Sequence, residues 1–307
     1  MGKISIIGAA GTLGATCAMC ISLKDFVDEL CLIDVNETLL DNHVMDFENA
    51  FPSKTIYRGS YKDLEHSDII IITAGVPNRN EVTSRTAYLA DNIRIFNKIG
   101  EQITKYAPKA IIVTASNPVD ILNYYLFENF GFNRSQLIGY TLNDSLRFEW
   151  SIRKILNINH KNVIKSPVLG EHGNSQVPLF SHVLQNNSKL VFTSEQKARI
   201  QEELQNWFVR FNSLNIKRTT GWTTGVGISQ IVHHLLHDNL VSTIGSTILR
   251  GEYGFSDVSI GVPIIVNKKG VQTVLEWDLE PSERKAFNES VQKIKTLIEE
   301  NKTLFVN

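Results

Sequence analysis

Two periodicities alternate along the first half of the chain. Lys3–Gly8 is a short β-branched run, Glu29–Asp34 is a second apolar run ending in an acid, and Ile69–Thr73 holds four consecutive isoleucines. A run with no polar face fits a strand covered on both sides, not a half-exposed one. Ala110–Thr114 reads the same way. Between these runs, Thr12–Leu23, Asn36–Glu48 and Thr83–Tyr106 carry helical spacing. Pro108 falls just past the last of them, and Pro118 sits near the start of the next helix. Alternating β and α elements predict a doubly wound parallel sheet with helices on both faces. The second half changes character. Asp144–Leu156 and Ser194–Lys217 read as helices, with strand-like runs at Ser259–Val266 and Val271–Trp277. A final helix over Glu283–Leu304 sets Phe287, Val291, Ile294 and Ile298 along one stripe. This is an α+β pattern, so the boundary is placed near residue 140, giving domains 1–140 and 141–307 with a cleft between them. No low-complexity linker or internal repeat interrupts the chain.

Composition narrows the classes. The 307 residues suit about two domains. Lys and Arg number 31 against 32 Asp and Glu, a net charge of −1 without the basic excess expected of a nucleic-acid or membrane-surface partner. With 42% hydrophobic and 21% charged residues, disorder and small disulfide scaffolds are excluded. Three cysteines point to a reducing compartment. Cys17 and Cys20 form C-x-x-C, but no second pair completes a zinc site, so they read as small buried hydrophobes on one helical face. The uncharged stretch Ile4–Leu23 after Lys3 resembles a signal peptide, yet Gly8, Gly11 and Gly14 make it too weakly apolar. It reads as strand, glycine turn and helix in a cytoplasmic protein.

That turn is the first candidate site. Gly8, Gly11 and Gly14 are spaced G-x-x-G-x-x-G. One glycine permits the tight turn, another lets backbone N–H groups approach a pyrophosphate, and the third lets helix pack on strand. The helix N-terminus favours the phosphates. Asp34 follows 20 residues after Gly14 at the end of the second strand. A carboxylate there accepts both ribose hydroxyls of NAD and repels the 2′-phosphate of NADP, although Asp is also a good helix cap. The first half thus reads as a Rossmann-type NAD-binding domain.

The second candidate site is Gly170-Glu171-His172-Gly173-Asn174-Ser175. A histidine between glycines in a polar turn answers no packing need, and imidazole is the natural proton shuttle near neutral pH. Asp144 and Arg147, three apart on a helix, project from one face. They form either a local ion pair or a working set, with Asp144 on His172 and Arg147 as a fork for a substrate carboxylate.

With these motifs, the sequence resembles the L-lactate and L-malate dehydrogenases. The match runs nearly the whole length. It includes the glycine turn, Asp34, Thr73-Ala74-Gly75-Val76-Pro77, Arg85, Asn92, Ser116-Asn117-Pro118-Val119-Asp120, Asp144–Arg147 and Gly170–Ser175. Near the end come Gly251-Glu252-Tyr253-Gly254 and Gly261-Val262-Pro263. The resemblance implies an NAD-dependent L-2-hydroxy acid dehydrogenase with His172 as proton donor and acceptor and Asp144 as its partner. Arg147 matches the arginine that grips the substrate carboxylate, and Arg85 the one on the closing loop that polarises the carbonyl. Asn117 matches the asparagine serving both substrate and cofactor, Asn92 falls on the cofactor side, and the peptide before Pro118 is cis in this family. A homodimer or homotetramer is implied as well.

The same resemblance divides on substrate. In the family, one loop residue separates malate from lactate: arginine pairs with the second carboxylate, glutamine suits pyruvate. Counting six back from Arg85 gives Arg79, whereas counting forward from Ala74-Gly75 gives Asn78. Gly8-Ala9-Ala10-Gly11, Ala74–Pro77 and the five-residue step from Gly139 to Asp144 look malate-like. Gly221-Trp222-Thr223-Thr224 looks lactate-like, with Thr223 in the position beside the substrate methyl. The longer loop and Asn174 are similar to the 2-hydroxyisocaproate branch. Tyr140 and Asn143 depart from both patterns. Malate and oxaloacetate are the favoured pair, with lactate or a larger 2-hydroxy acid as alternatives. Glu149 and Lys165 occupy the positions of the basic pair of fructose-bisphosphate-activated relatives, and the acid opposes phosphate binding. No arm precedes the first strand, so arm exchange is not expected. A non-catalytic NAD sensor would have no use for His172, Asp144, Arg147 and Arg85 together. His233 and His237 lie one turn apart, but no acid or cysteine at ligand spacing completes a metal site, so none is expected.

Overall fold

The computed structural model describes residues 2–76, 88–214, 216 and 219–305. Its first half is a parallel sheet of β1 (Gly2–Ile7), β2 (Val27–Ile33), β3 (Thr55–Arg58), β4 (Ile69–Ile72), β5 (Ile111–Thr114) and β6 (Leu137–Gly139). The connecting helices are α1 (Thr12–Ser22), α2 (Glu37–Ala50), α3 (Leu89–Tyr106) and α4 (Val119–Phe130). The strands stand in the order β3-β2-β1-β4-β5-β6. All four isoleucines of β4 are fully buried between β1 and β5, which is why this strand shows no alternation. Strand order reverses between β1 and β4, so a crevice opens beyond their carboxyl ends. Gly8 follows β1 at that crevice, and Thr73–Val76 follow β4.

The sheet does not stop at the expected domain boundary. β12 (Val241–Arg250) runs antiparallel to β6, pairing Ser246 with Gly139, and β13 (Ser256–Asn267) lies beyond it. β8 (Val168–Gly170), β9 (Gln176–Pro178) and β14 (Gly270–Val274) complete eleven strands. Serines, threonines and a glycine hide β12 from a hydrophobicity pattern, but Ser246 and Thr247 are fully buried. Their polar atoms are satisfied: the Ser246 and Ser259 hydroxyls are 2.8 Å apart, and the Asn123 amide of α4 donates to the Ser246 carbonyl at 3.2 Å.

Four more helices surround this extension: α5 (Leu142–Leu156), α6 (Ser194–Ser213), α7 (Gly221–Leu235) and α8 (Pro281–Glu300). α8 buries Phe287, Val291 and Ile294, the stripe expected from its sequence. A three-stranded sheet of β7 (Ile164–Lys165), β10 (Leu184–Gln185) and β11 (Ser188–Lys189) adjoins a small separate core, where Phe148 and Ile152 of α5 meet Phe180 and Ile200. α7 packs along α1, leaving Met19, Leu23, Trp222 and Val226 exposed. On α1, Cys17 is fully buried, and burial pushes its thiol and that of Cys20 up, away from the reactive thiolate. Among the described residues, no helix is long and apolar enough to cross a membrane.

Candidate active site

The three glycines after β1 serve different ends. Gly8 has φ +92°, and a Cβ there would stand 2.5 Å from the Ala74 nitrogen. A Cβ on Gly14 would stand 2.2 Å from the Gly8 carbonyl oxygen. Both positions are closed by the protein's own backbone. A Cβ on Gly11 would meet only the Gly8 oxygen, at 3.5 Å, so this backbone is open to an outside group. Gly11 caps α1 with no side-chain hydrogen bond, and the first turn carries no acid, so the amides and dipole of the helix favour an anion. Asp34 stands beside this turn. Its Oδ2 accepts the Ala10 N–H and its Oδ1 the Asn36 N–H, both at 2.9 Å. Capping of α2 falls to Asn36, whose side chain accepts the Leu39 N–H at 3.2 Å. An open amide turn beside a half-exposed carboxylate fits the pyrophosphate and ribose of a dinucleotide.

Across the crevice, two loops are clamped together. Asn92 of α3 is buried; its Oδ1 accepts the Val76 N–H and its Nδ2 donates to the Asn117 carbonyl, both at 2.8 Å. Its amide therefore braces the walls of the crevice. Ser116 adds a hydrogen bond to the Ala74 carbonyl at 2.6 Å. The Asn117–Pro118 peptide is cis, as the resemblance implies, and Asn117 is exposed toward solvent.

The imidazole sits in a braced turn after β8. Glu171 accepts the Ser175 N–H at 3.0 Å, bonds the Ser175 hydroxyl, and pairs with Lys293 of α8 at 2.6 Å. Burial works to raise the Glu171 carboxyl, but Lys293 and Ser175 outweigh it and hold it below the usual range. His172 donates its backbone N–H to Asp120 Oδ2 at 2.8 Å, and its Nδ1 lies 2.6 Å from Asp144 Oδ2. The other oxygen, Asp144 Oδ1, is 3.3 Å from Arg147 Nη1. The exposed fractions are 8% for His172, 5% for Asp144 and 14% for Arg147. The Asp144–Arg147 ion pair, this shielded, interacts more strongly than a solvent-exposed pair. A cavity of about 310 Å³ is lined by Asp144, Arg147, Asn174 and Gln176 together with Leu204, Gln205 and Trp207 of α6.

Three participants in this architecture escaped the sequence reading. Asp120 lay inside a quoted motif without a role, yet it anchors the His172 backbone. Burial pushes its carboxyl up to about 7, the Ser246 hydroxyl and the His172 N–H pull it down, and Glu171 and Asp144 push it further up. Its place after an Asn-Pro turn, opening a helix, was the available signal. Glu171 stands in the quoted histidine turn without a role, and Trp207 carries no signal, because their partners Lys293 and Arg147 lie 122 and 60 residues away in the sequence. Tyr140 and Asn143, the two departures from the family pattern, answer each other. The Tyr140 hydroxyl donates to Asn143 Oδ1 at 3.0 Å, and Asn143 passes a hydrogen bond to Thr224 at 2.7 Å, tying α5 to α7.

Other expected residues are not gathered here. Thr223 is exposed on the first turn of α7 and does not line the cavity, whereas its neighbour Thr224 is buried. Arg79, Asn78 and Arg85 lie outside the described residues. Glu149 pairs with Arg153 at 2.8 Å. His233 and His237 face each other with ring centres 4.3 Å apart, and among the described residues no group of three His, Cys, Asp or Glu is arranged to hold a metal.

Two family models match the chain: the lactate/malate dehydrogenase NAD-binding domain over residues 2–139, and the lactate/malate dehydrogenase alpha/beta C-terminal domain over 141–304. A malate dehydrogenase of Halobacterium salinarum is 35% identical over 306 residues, covering 98% of this chain and 99% of that one. An L-lactate dehydrogenase 1 of Bacillus cereus is 32% identical, covering 95% and 96%. The structure of the malate dehydrogenase from Aeropyrum pernix superposes with a TM-score of 0.90 at 28% identity, covering 97% of each chain. Matched in both halves, the chain belongs to the lactate/malate dehydrogenase family of NAD-dependent 2-hydroxy acid oxidoreductases.

Proposed function

We propose that the chain interconverts L-malate and oxaloacetate, with residues 1–140 holding NAD and 141–307 supplying the catalytic groups. The observation that carries the catalytic assignment is the single carboxylate of Asp144, bonded to His172 through one oxygen and to Arg147 through the other. The nicotinamide supplies or receives the hydride. Proton handling falls to His172. Asp144 keeps the Nδ1 proton in place and stabilises the imidazolium, so Nε2 delivers its proton to the keto oxygen during reduction and recovers it during oxidation. Arg147 takes the substrate carboxylate. By family resemblance, Arg85 polarises the keto group and Asn117 bonds substrate and the carboxamide end of the cofactor. Gly11 and Asp34 hold the dinucleotide on a turn that Gly8 and Gly14 shape, and Asn92 supports that wall through Asn117.

A dicarboxylate needs a second counter-charge. Arg147 is the one cation among the described residues lining the cavity, and Arg79 is assigned as the other. The malate-like motifs and the similarity to the halobacterial malate dehydrogenase support this reading. Thr223 and its neighbours favour lactate, which makes pyruvate the critical competitor. Initial rates of NADH oxidation with oxaloacetate, pyruvate and 2-ketoisocaproate give the test. A kcat/KM favouring oxaloacetate by about 100-fold or more, lost in Arg79→Gln, is the expected result. A preference for either monocarboxylate overturns the malate assignment. The exposed Met19, Leu23, Trp222 and Val226 on the adjoining α1 and α7 support a homodimer or homotetramer, in a cytoplasmic enzyme without nucleic-acid or membrane partners.

A further inference from the structure

We infer that Trp207 is a positioning residue for the substrate carboxylate, acting through Arg147. The guanidinium carbon of Arg147 lies over the Trp207 indole, 4.3 Å from the ring centre. The indole is itself stacked on Phe211, one turn further along α6, with ring centres 5.2 Å apart and planes within 13°. Arg147 is thus held from two directions: Asp144 engages Nη1 at 3.3 Å, and an aromatic face covers the group from α6. A guanidinium binds a carboxylate with two parallel bonds only when its plane is fixed toward the incoming group. The ring restricts rotation of the group about its contact with Asp144.

Trp207 also lines two spaces. One is the 310 Å³ cavity holding Asp144, Arg147 and Asn174. The other is a hollow of about 490 Å³ bounded by Trp150, Phe211 and Leu214.

The inference rests on the reading that Arg147 binds substrate, and the experiment separates the two. Steady-state kinetics at saturating NADH compare wild type with Trp207→Phe, Trp207→Leu and Arg147→Gln. Phe keeps an aromatic face; Leu keeps apolar volume against Phe211 without one. Trp207→Leu is expected to raise KM for the 2-keto acid by about 5- to 30-fold with kcat within about twofold, and Trp207→Phe to restore most of the loss. KM for NADH and the melting temperature stay at wild-type values in both. Equal KM values for Phe and Leu, or a parallel fall of kcat with an unchanged KM, overturn the role of Trp207 while leaving that of Arg147 intact. If Arg147→Gln leaves KM for the 2-keto acid unchanged, the underlying assignment of Arg147 falls first.

Discussion

Gly11 faces the crevice with no side chain at all, whereas a few elements away His172, Asp144, Arg147, Asp120 and Glu171 crowd ionisable groups into a nearly closed space. The cofactor end is made of backbone amides and a helix terminus, kept open by what is left out. The end around His172 is made of shielded ionisable groups, kept in place by one another. The two ends should therefore fail differently. In the first, the damage done by an added methyl depends on whether the protein's own backbone already fills the space; in the second, the effect of removing an ionisable group depends on whether that group is held by its partners or strained by burial.

The largest effect is expected at His172. His172→Gln should lower kcat by about 100- to 10,000-fold, while NADH binding followed by fluorescence holds near the wild-type value. A parallel loss of NADH affinity would mean that the two ends are not separable. Next comes Gly14→Ala, whose methyl meets the Gly8 carbonyl oxygen; thermal melting should show a loss of about 1–3 kcal/mol or more.

Asp120 tests the charged end through pH. Its folded-state value of about 7 exceeds the unfolded carboxylate value of about 3.9, so the folded state binds the proton more tightly. Stability from this group is present at low pH and is lost as pH rises through about 4 to 7. Asp120→Asn cannot ionise, so it should gain on wild type by on the order of 2 kcal/mol between pH 5 and pH 8 in urea melts. A gap independent of pH would remove Asp120 from the set of strained charges. The smallest effect is at Gly11→Ala, which meets no backbone closer than 3.5 Å. Melting should be unchanged within about 0.5 kcal/mol, and KM for NADH should rise about tenfold. The opposite pattern at Gly11 and Gly14 would reverse their assignments.

How much of this could be read beforehand follows the range of the interactions. β1, β4, β5, α1 and α2 are legible because each shows an unbroken apolar run or a helical spacing within a dozen residues. Asp144 and Arg147 were visible as an i,i+3 pair. The approach of Asp144 to His172 spans 28 residues and rested on chemistry and family likeness. β12 was missed because its buried hydroxyls look like surface until β6 and β13 flank it. Asn92 was placed among cofactor contacts, but its two amide bonds to Val76 and Asn117 depend on a loop geometry that local sequence does not encode. Trp207 became meaningful only when α6 packed on α5.

The hydrogen bond from the His172 backbone to Asp120 crosses between the two matched regions, since Asp120 opens α4 in the first and His172 follows β8 in the second. Asn123, one turn along α4, makes the same crossing to Ser246 and Ser259. Chimeras exchanging halves between relatives at residue 140 would therefore take His172 and its backbone anchor from different parents. Such a hybrid could bind dinucleotide and fold its charged cluster, yet hold the imidazole out of line. A crossover placed before residue 119 would move α4 with the histidine and keep anchor and shuttle as one inherited unit.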